Sequence, residues 1–140
     1  MGNRAIITLE DQDGHNHPVA LQLQWNGGLE SVLAFATFTW ESFDRGHGDL
    51  YTFHARLCQV IGNFFPDGLS LYGYPVSQAD EIAGWCDHGR FHFRIGKKSF
   101  ELIGRADEIA AAKTHAYWSE SPSILDSIAA HMPARKGGAK

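Results

Sequence analysis

Cysteine is scarce in this chain: two residues, Cys58 and Cys86, in a length of 140. Neither sits in a Cys-x-x-Cys pair, which argues against a disulfide framework and fits a reducing cytoplasm. Long apolar runs are missing, so no membrane-spanning segment is expected, and no signal peptide is visible at Met1-Gly2-Asn3-Arg4. Strong charge is missing too. A net charge of −4 is too small for a polyanionic nucleic-acid mimic and of the wrong sign for a general nucleic-acid binder. Walker and dinucleotide-binding fingerprints are absent.

What is present is core-forming material. Hydrophobic residues make up 44% of the chain and charged residues 20%, enough for one self-supporting domain, expected over residues 1–133. The segment 134–140, rich in Lys, Arg and Gly, reads as a disordered tail. Charge is uneven. Residues 1–70 carry three basic and eight acidic side chains; residues 71–140 carry nine and eight. An acidic first half suits a basic partner, but ordinary solvated surface is the better account of it.

Residues 4–10 and 19–25 alternate apolar and polar side chains around the turn-forming segment Asp11-Gln12-Asp13-Gly14-His15-Asn16-His17-Pro18, which predicts an antiparallel hairpin. After Asn26-Gly27-Gly28, a largely buried helix is expected over 29–43. An amphipathic helix follows over 50–65, with Leu50, Phe53, Leu57, Ile61 and Phe64 inward. A third strand is expected at 69–74 and one helical turn near 78–83. Residues 90–95 and 98–103 flank Gly96-Lys97, a pair suited to a two-residue type II′ turn. That register sets Phe93 opposite Phe100 and His92 opposite Glu101. Two C-terminal helices are expected over 107–118 and from Ser121-Pro122 to about 131. The order ββααβββαα implies an α+β fold: a five-stranded, mostly antiparallel sheet with the two central helices on one face.

Several clusters invite chemistry. His15 and His17 lie in one loop; Cys86, His88 and His92 lie close in sequence. A zinc site, or a metal-dependent enzyme built on it, would require these two groups to meet, because neither supplies two well-spaced ligand pairs. His54 and Cys58 stand four apart on a helix, as an imidazole-activated thiol would, but no orienting group or oxyanion hole accompanies them. Cys58 then reads as a small core residue. Asn26-Gly27-Gly28 could offer backbone N–H groups to a phosphate, yet no Lys or Arg flanks it and Glu30 follows. Tight reversal and close packing explain the glycines better. No catalytic residue, metal or cofactor is assigned, and the chain is read as a binding protein rather than an enzyme.

The remaining candidate is the polar sheet face. Arg90, His92 and Arg94 alternate on one strand, Lys97 and Lys98 lie at its tip, and Tyr72 and Tyr74 flank it. Tyr72, Tyr74, Arg90, His92 and Arg94 are the expected partner-binding set, since Arg and Tyr are enriched at protein interfaces. Direct nucleic-acid binding by the ribbon from Arg90 to Lys98 is the alternative, and an ordinary solvated face the third reading.

Three segments carry a resemblance. Met1-Gly2-Asn3-Arg4-Ala5-Ile6-Ile7-Thr8, Leu23-Gln24-Trp25-Asn26-Gly27-Gly28-Leu29-Glu30-Ser31-Val32 and Ala55-Arg56-Leu57-Cys58-Gln59-Val60-Ile61-Gly62-Asn63-Phe64-Phe65 resemble a family of small uncharacterised proteins of phages, prophages and other mobile elements. The likeness covers the first half of the chain and the third strand. It implies an accessory protein in a bacterial cytoplasm, whose partner would be a host or defence protein complex. Proteins of that setting often inhibit a defence by binding it, as anti-CRISPR proteins do.

Overall fold

The computed structural model describes residues 3–65, 71–103 and 128–130. It is an α+β fold. Five strands, β1 (Ala5–Asp11), β2 (Val19–Leu23), β3 (Leu71–Pro75), β4 (Arg90–Ile95) and β5 (Phe100–Leu102), form one sheet in the order β3-β2-β1-β4-β5. Three helices accompany it: α1 (Leu29–Ser42), α2 (Leu50–Phe64) and the short α3 (Ala79–Ala83). The pairings are antiparallel except β1 with β4, which is parallel.

The parallel pair follows from the connections. β3 leaves the sheet at one edge, crosses the polar face through α3, and re-enters as β4 on the far side of β1. A parallel pairing needs such a crossover; a tight turn cannot supply one. β1 becomes the central strand, and residues Ala5 to Leu9 are all at most 1% exposed.

One sheet face is apolar. Ala5, Ile7, Leu9, Leu21, Leu23, Phe91, Phe93 and Ile95 pack against Val32, Phe35, Phe53, Leu57 and Ile61 of α1 and α2. α1 is buried over Val32–Thr37, as expected of a helix with apolar residues around most of its circumference. Asp49 caps α2 by accepting from the Thr52 N–H at 3.1 Å, while the Thr52 hydroxyl donates to its second oxygen at 2.8 Å. The buried stripe of α2 is wider than the expected one, because His54 and Val60 belong to it. The opposite face holds a smaller apolar cluster, Ile6, Ala20, Ala79 and Ile82, where α3 crosses β1 and β2.

The last hairpin departs from expectation by two residues. Phe93 pairs with Leu102, Arg94 with Glu101 and Ile95 with Phe100, leaving Gly96 to Ser99 as a four-residue turn closed by the Gly96 N–H on the Ser99 carbonyl at 3.0 Å. The expected two-residue turn would set Lys98 opposite Ile95, on the apolar face. The longer turn keeps Lys97 and Lys98 in solvent. A shift of two preserves the alternation, so Phe100 and Leu102 still pack against the apolar core. Residues 128–130 are helical, within the expected final helix, and Ile128 is buried in the main core. The helix expected over 107–118, the rest of the last one and the tail lie outside the described residues.

Candidate functional site: a polar sheet face

Strand pairing places Tyr72, Tyr74, Arg90, His92 and Arg94 on one side of the sheet. Tyr74 lies opposite Ala20, Tyr72 opposite Gln22, Arg90 beside Ile6, His92 beside Thr8 and Arg94 beside Glu10. The five expected residues therefore share a face but not a patch. The tyrosines stand on edge strand β3, and the cations stand on β4, with β2 and β1 between them.

The cations are engaged internally. Arg90 donates through Nε to the Thr8 hydroxyl at 2.9 Å and through a terminal nitrogen to Asp80 at 2.6 Å. Thr8 Oγ1 lies 2.7 Å from His92 Nδ1, and His92 Nε2 lies 2.7 Å from Glu10 Oε1. Arg94 donates through Nε to Glu10 Oε2, also at 2.7 Å. The result is one continuous chain: Asp80, Arg90, Thr8, His92, Glu10, Arg94. With a neutral imidazole it closes in one way. The Thr8 O–H donates to Nδ1, and the Nε2–H donates to the carboxylate. Thr8 is fully buried and Glu10 is 8% exposed. Burial raises the Glu10 carboxyl pKa, but the hydrogen bonds and charges of His92 and Arg94 outweigh it and leave the group below its ordinary value.

Glu10 is the residue that sequence reasoning missed. His92 was expected to meet Glu101; it meets Glu10, because β4 lies beside β1, and Glu101 falls opposite Arg94. The available signal was Ile6, an apolar residue in the polar phase of β1. It announces that this face is covered in part.

The aromatic end of the face differs. Tyr72 is 42% exposed, and Trp85, just after α3, is 60% exposed. Gln22, 8% exposed, pairs across the sheet from Tyr72 and donates its amide to Sγ of Cys86, the residue after Trp85, at 3.8 Å. That contact ties the segment after α3 to the strand that faces Tyr72. Tyr74 is half-buried and packs on the Ile6–Ala20–Ile82 cluster. Trp85 was not among the expected site residues, since nothing in its local sequence places it on the sheet face.

The other clusters have structural explanations. His88 accepts a place beside the N-terminus of β1, with Nε2 3.3 Å from Asn3 Oδ1, and its backbone N–H bonds the Arg4 carbonyl. His15 and His17 follow the other end of β1, and His17 N–H bonds the Leu9 carbonyl. The strand between them spans roughly 20 Å at about 3.3 Å per residue, so the two groups do not form one metal site. Asp11, Asp13 and His15 do lie together, but Asp11 Oδ1 accepts the backbone N–H groups of Asp13 and His15 at 2.9 Å each, an ordinary turn-closing arrangement.

His54 and Cys58 touch at 3.8 Å. Burial pushes the Cys58 thiol pKa up, and burial together with His17 pushes the His54 imidazole down to about 4. An activated thiolate–imidazolium pair requires both shifts in the opposite direction. His54 instead stacks on His17, with ring centroids 3.5 Å apart and planes 4° from parallel, and bonds the Val19 carbonyl at 3.2 Å. Gly27 is a packing residue. A methyl there would stand 2.4 Å from the Asn3 carbonyl oxygen, and its N–H already donates to that oxygen at 2.7 Å, so it is not free for a phosphate.

No family model, curated protein or solved structure matches the chain. No helix among the described residues is long and apolar enough to cross a membrane.

Proposed function

We propose that this chain acts by stoichiometric binding to a protein partner, through the aromatic end of the polar sheet face centred on Tyr72 and Trp85. The observation that carries the reading is the exposure of these two side chains next to a polar network that is internally paired; the other exposed aromatics, Trp25 and Tyr51, lie after β2 and on α2. Exposed aromatics grouped on a rigid surface are the usual anchors of protein interfaces, where they fill pockets at low entropic cost. The charged chain from Asp80 to Arg94 holds β1, β4 and α3 together. It serves as the platform under the interface. The acid–base chemistry of the face is self-satisfied, and the His54–Cys58 pair is held in its unreactive state, which favours binding over catalysis.

The resemblance to phage and mobile-element proteins supplies the setting: an accessory protein of a bacterial cytoplasm whose partner is a host or defence complex that it inhibits. The test is capture of partners from a bacterial lysate with and without nuclease. A protein recovered in both cases, and lost with Tyr72→Ala plus Trp85→Ala in a folded variant, is the expected result. Partner capture that disappears on nuclease treatment would overturn it, as would capture indifferent to both substitutions.

A further inference from the structure

The opposite edge of the molecule carries a feature that the partner-binding reading does not use. An open pocket of about 370 Å³ lies at the β4–β5 turn, lined by Gln12, Arg94, Gly96, Lys97, Lys98, Ser99 and Glu101. Three cations face one carboxylate there, in a chain whose net charge is −4. This concentration of positive charge is local. On the rest of the face Arg90 is paired with Asp80 and His92 with Glu10, while Arg94, which belongs to both network and pocket, is held by Glu10 through Nε.

The pocket is also held in shape. Glu10 fixes Arg94 through Nε, while the side chain stays 42% exposed, so the outer edge of the guanidinium faces solvent. Lys97 is braced from behind. Gly48, at φ +76°, brings its backbone against the lysine stem so closely that a methyl there would stand 2.6 Å from Lys97 Cγ. The turn itself is closed by the Gly96 N–H on the Ser99 carbonyl. A planar guanidinium fork beside two ammonium groups, with Gln12 and Ser99 as neutral partners, matches a compact dianion with several acceptor oxygens. The volume suits a small molecule.

We infer that the Arg94–Lys97–Lys98 pocket binds the phosphate group of a small phosphorylated molecule. An extended nucleic acid would need basic charge continued along the ribbon. Arg90 and His92, the next residues along it, are already committed to Asp80, Thr8 and Glu10.

The test is titration of the full chain with inorganic phosphate at constant ionic strength, followed by amide chemical shifts, with chloride as control. Ribose 5-phosphate and a 20-nucleotide single strand form two further arms. Saturable shifts confined to Gln12 and residues 94–101 are expected, with affinity weakened about tenfold in Lys97→Gln plus Lys98→Gln, the loss of charge-assisted hydrogen bonds. Lys98→Gln alone, at an exposed position, keeps the test valid if the double variant is unstable. Glu101→Gln is expected to tighten phosphate binding. Absence of saturation with both phosphate and ribose 5-phosphate would overturn the inference, as would affinity unchanged in the lysine variants. Oligonucleotide binding that spreads to Arg90 and Tyr72 and weakens steeply with salt would overturn it in favour of a nucleic-acid ribbon. Ribose 5-phosphate bound more tightly than the strand supports the small-molecule source.

Discussion

β1 and β4 present two faces, and each solves burial differently. On the helix side Ile7, Leu9, Phe91 and Phe93 are removed from water by α1 and α2. Two imidazoles buried at the margin of this side, His17 and His54, are stacked on each other with both pKa values depressed, chiefly by burial. On the α3 side the same strands bury Thr8, Glu10 and much of His92, and they do so with charge-assisted hydrogen bonds. The helix side is held by area and tolerates no charge. The α3 side is held by a network in which each member needs its neighbour. The contrast teaches where function can lie: the network fixes a rigid polar platform that ends in exposed aromatics at one edge and exposed cations at the other.

The strongest way to break the contrast is to open the helix side. Phe93 is fully buried and packs within 6.1 Å of the Phe100 ring centre. Phe93→Ala is expected to cost about 3–5 kcal/mol from lost transfer free energy and an unfilled cavity. Denaturant unfolding measures it; a loss below about 1 kcal/mol would mean that the aromatic layer is not the core.

Acid separates the two faces next. The folded chain keeps His17 and His54 neutral, whereas the unfolded chain protonates its histidines below the ordinary value of 6.5. Stability from this pair is complete above pH 6.5. It is lost as pH falls toward about 4, where His54 itself takes up a proton. Glu10 has the same sign of pH dependence in a lower window. Its carboxyl sits below the ordinary 4.5, so its contribution persists above that value and is lost only as pH falls beneath it. Thermal unfolding across pH should therefore show a loss between 6.5 and 4 that is reduced in His54→Phe. An unchanged slope in that variant would refute the neutral pair.

The network is expected to yield less than the core. Glu10→Ala leaves His92 and Arg94 without their shared acceptor and should cost about 2 kcal/mol, the range for hydrogen bonds to charged groups. Its coupling to His92 is measurable in a double-mutant cycle, with about 0.5–3 kcal/mol of non-additivity expected for residues in one network. Strict additivity would show that the chain of contacts is not cooperative.

Much of this contrast was legible in the sequence and part was not. Alternation in residues 4–10, 19–25 and 90–95 fixed which side chains share a face, because the strand period is two and sits in the local sequence. α1 and α2 were legible from their apolar periodicity, and the start of α1 from the Asn26-Gly27-Gly28 break before it. The parallel β1–β4 pair was not legible, since adjacency across 80 residues depends on where α3 crosses. That single unknown hid Glu10 as the partner of His92 and sent the imidazole toward Glu101. The hairpin register was misread for a local reason: Gly96-Lys97 is a good two-residue turn, and the cost of placing Lys98 on the apolar face outweighed it. Tyr72 was legible as a residue of the polar sheet face from its strand phase. Trp85 was not, because a tryptophan in a connection has no phase to read.

The smallest expected effect on stability is the most informative about function. Tyr72 and Trp85 are both largely exposed and their side chains hold no part of the charged network. Tyr72→Ala and Trp85→Ala should each change unfolding free energy by no more than about 0.5 kcal/mol, as surface substitutions away from caps, cores and networks do. The same changes should abolish capture of a protein partner, because truncating an interface anchor commonly costs about 2 kcal/mol or more of binding. A stability loss as large as that of Glu10→Ala would place these aromatics in the fold and remove them from the proposed interface. Unchanged stability with lost capture separates platform from interface, on the same face of the sheet that carries the network.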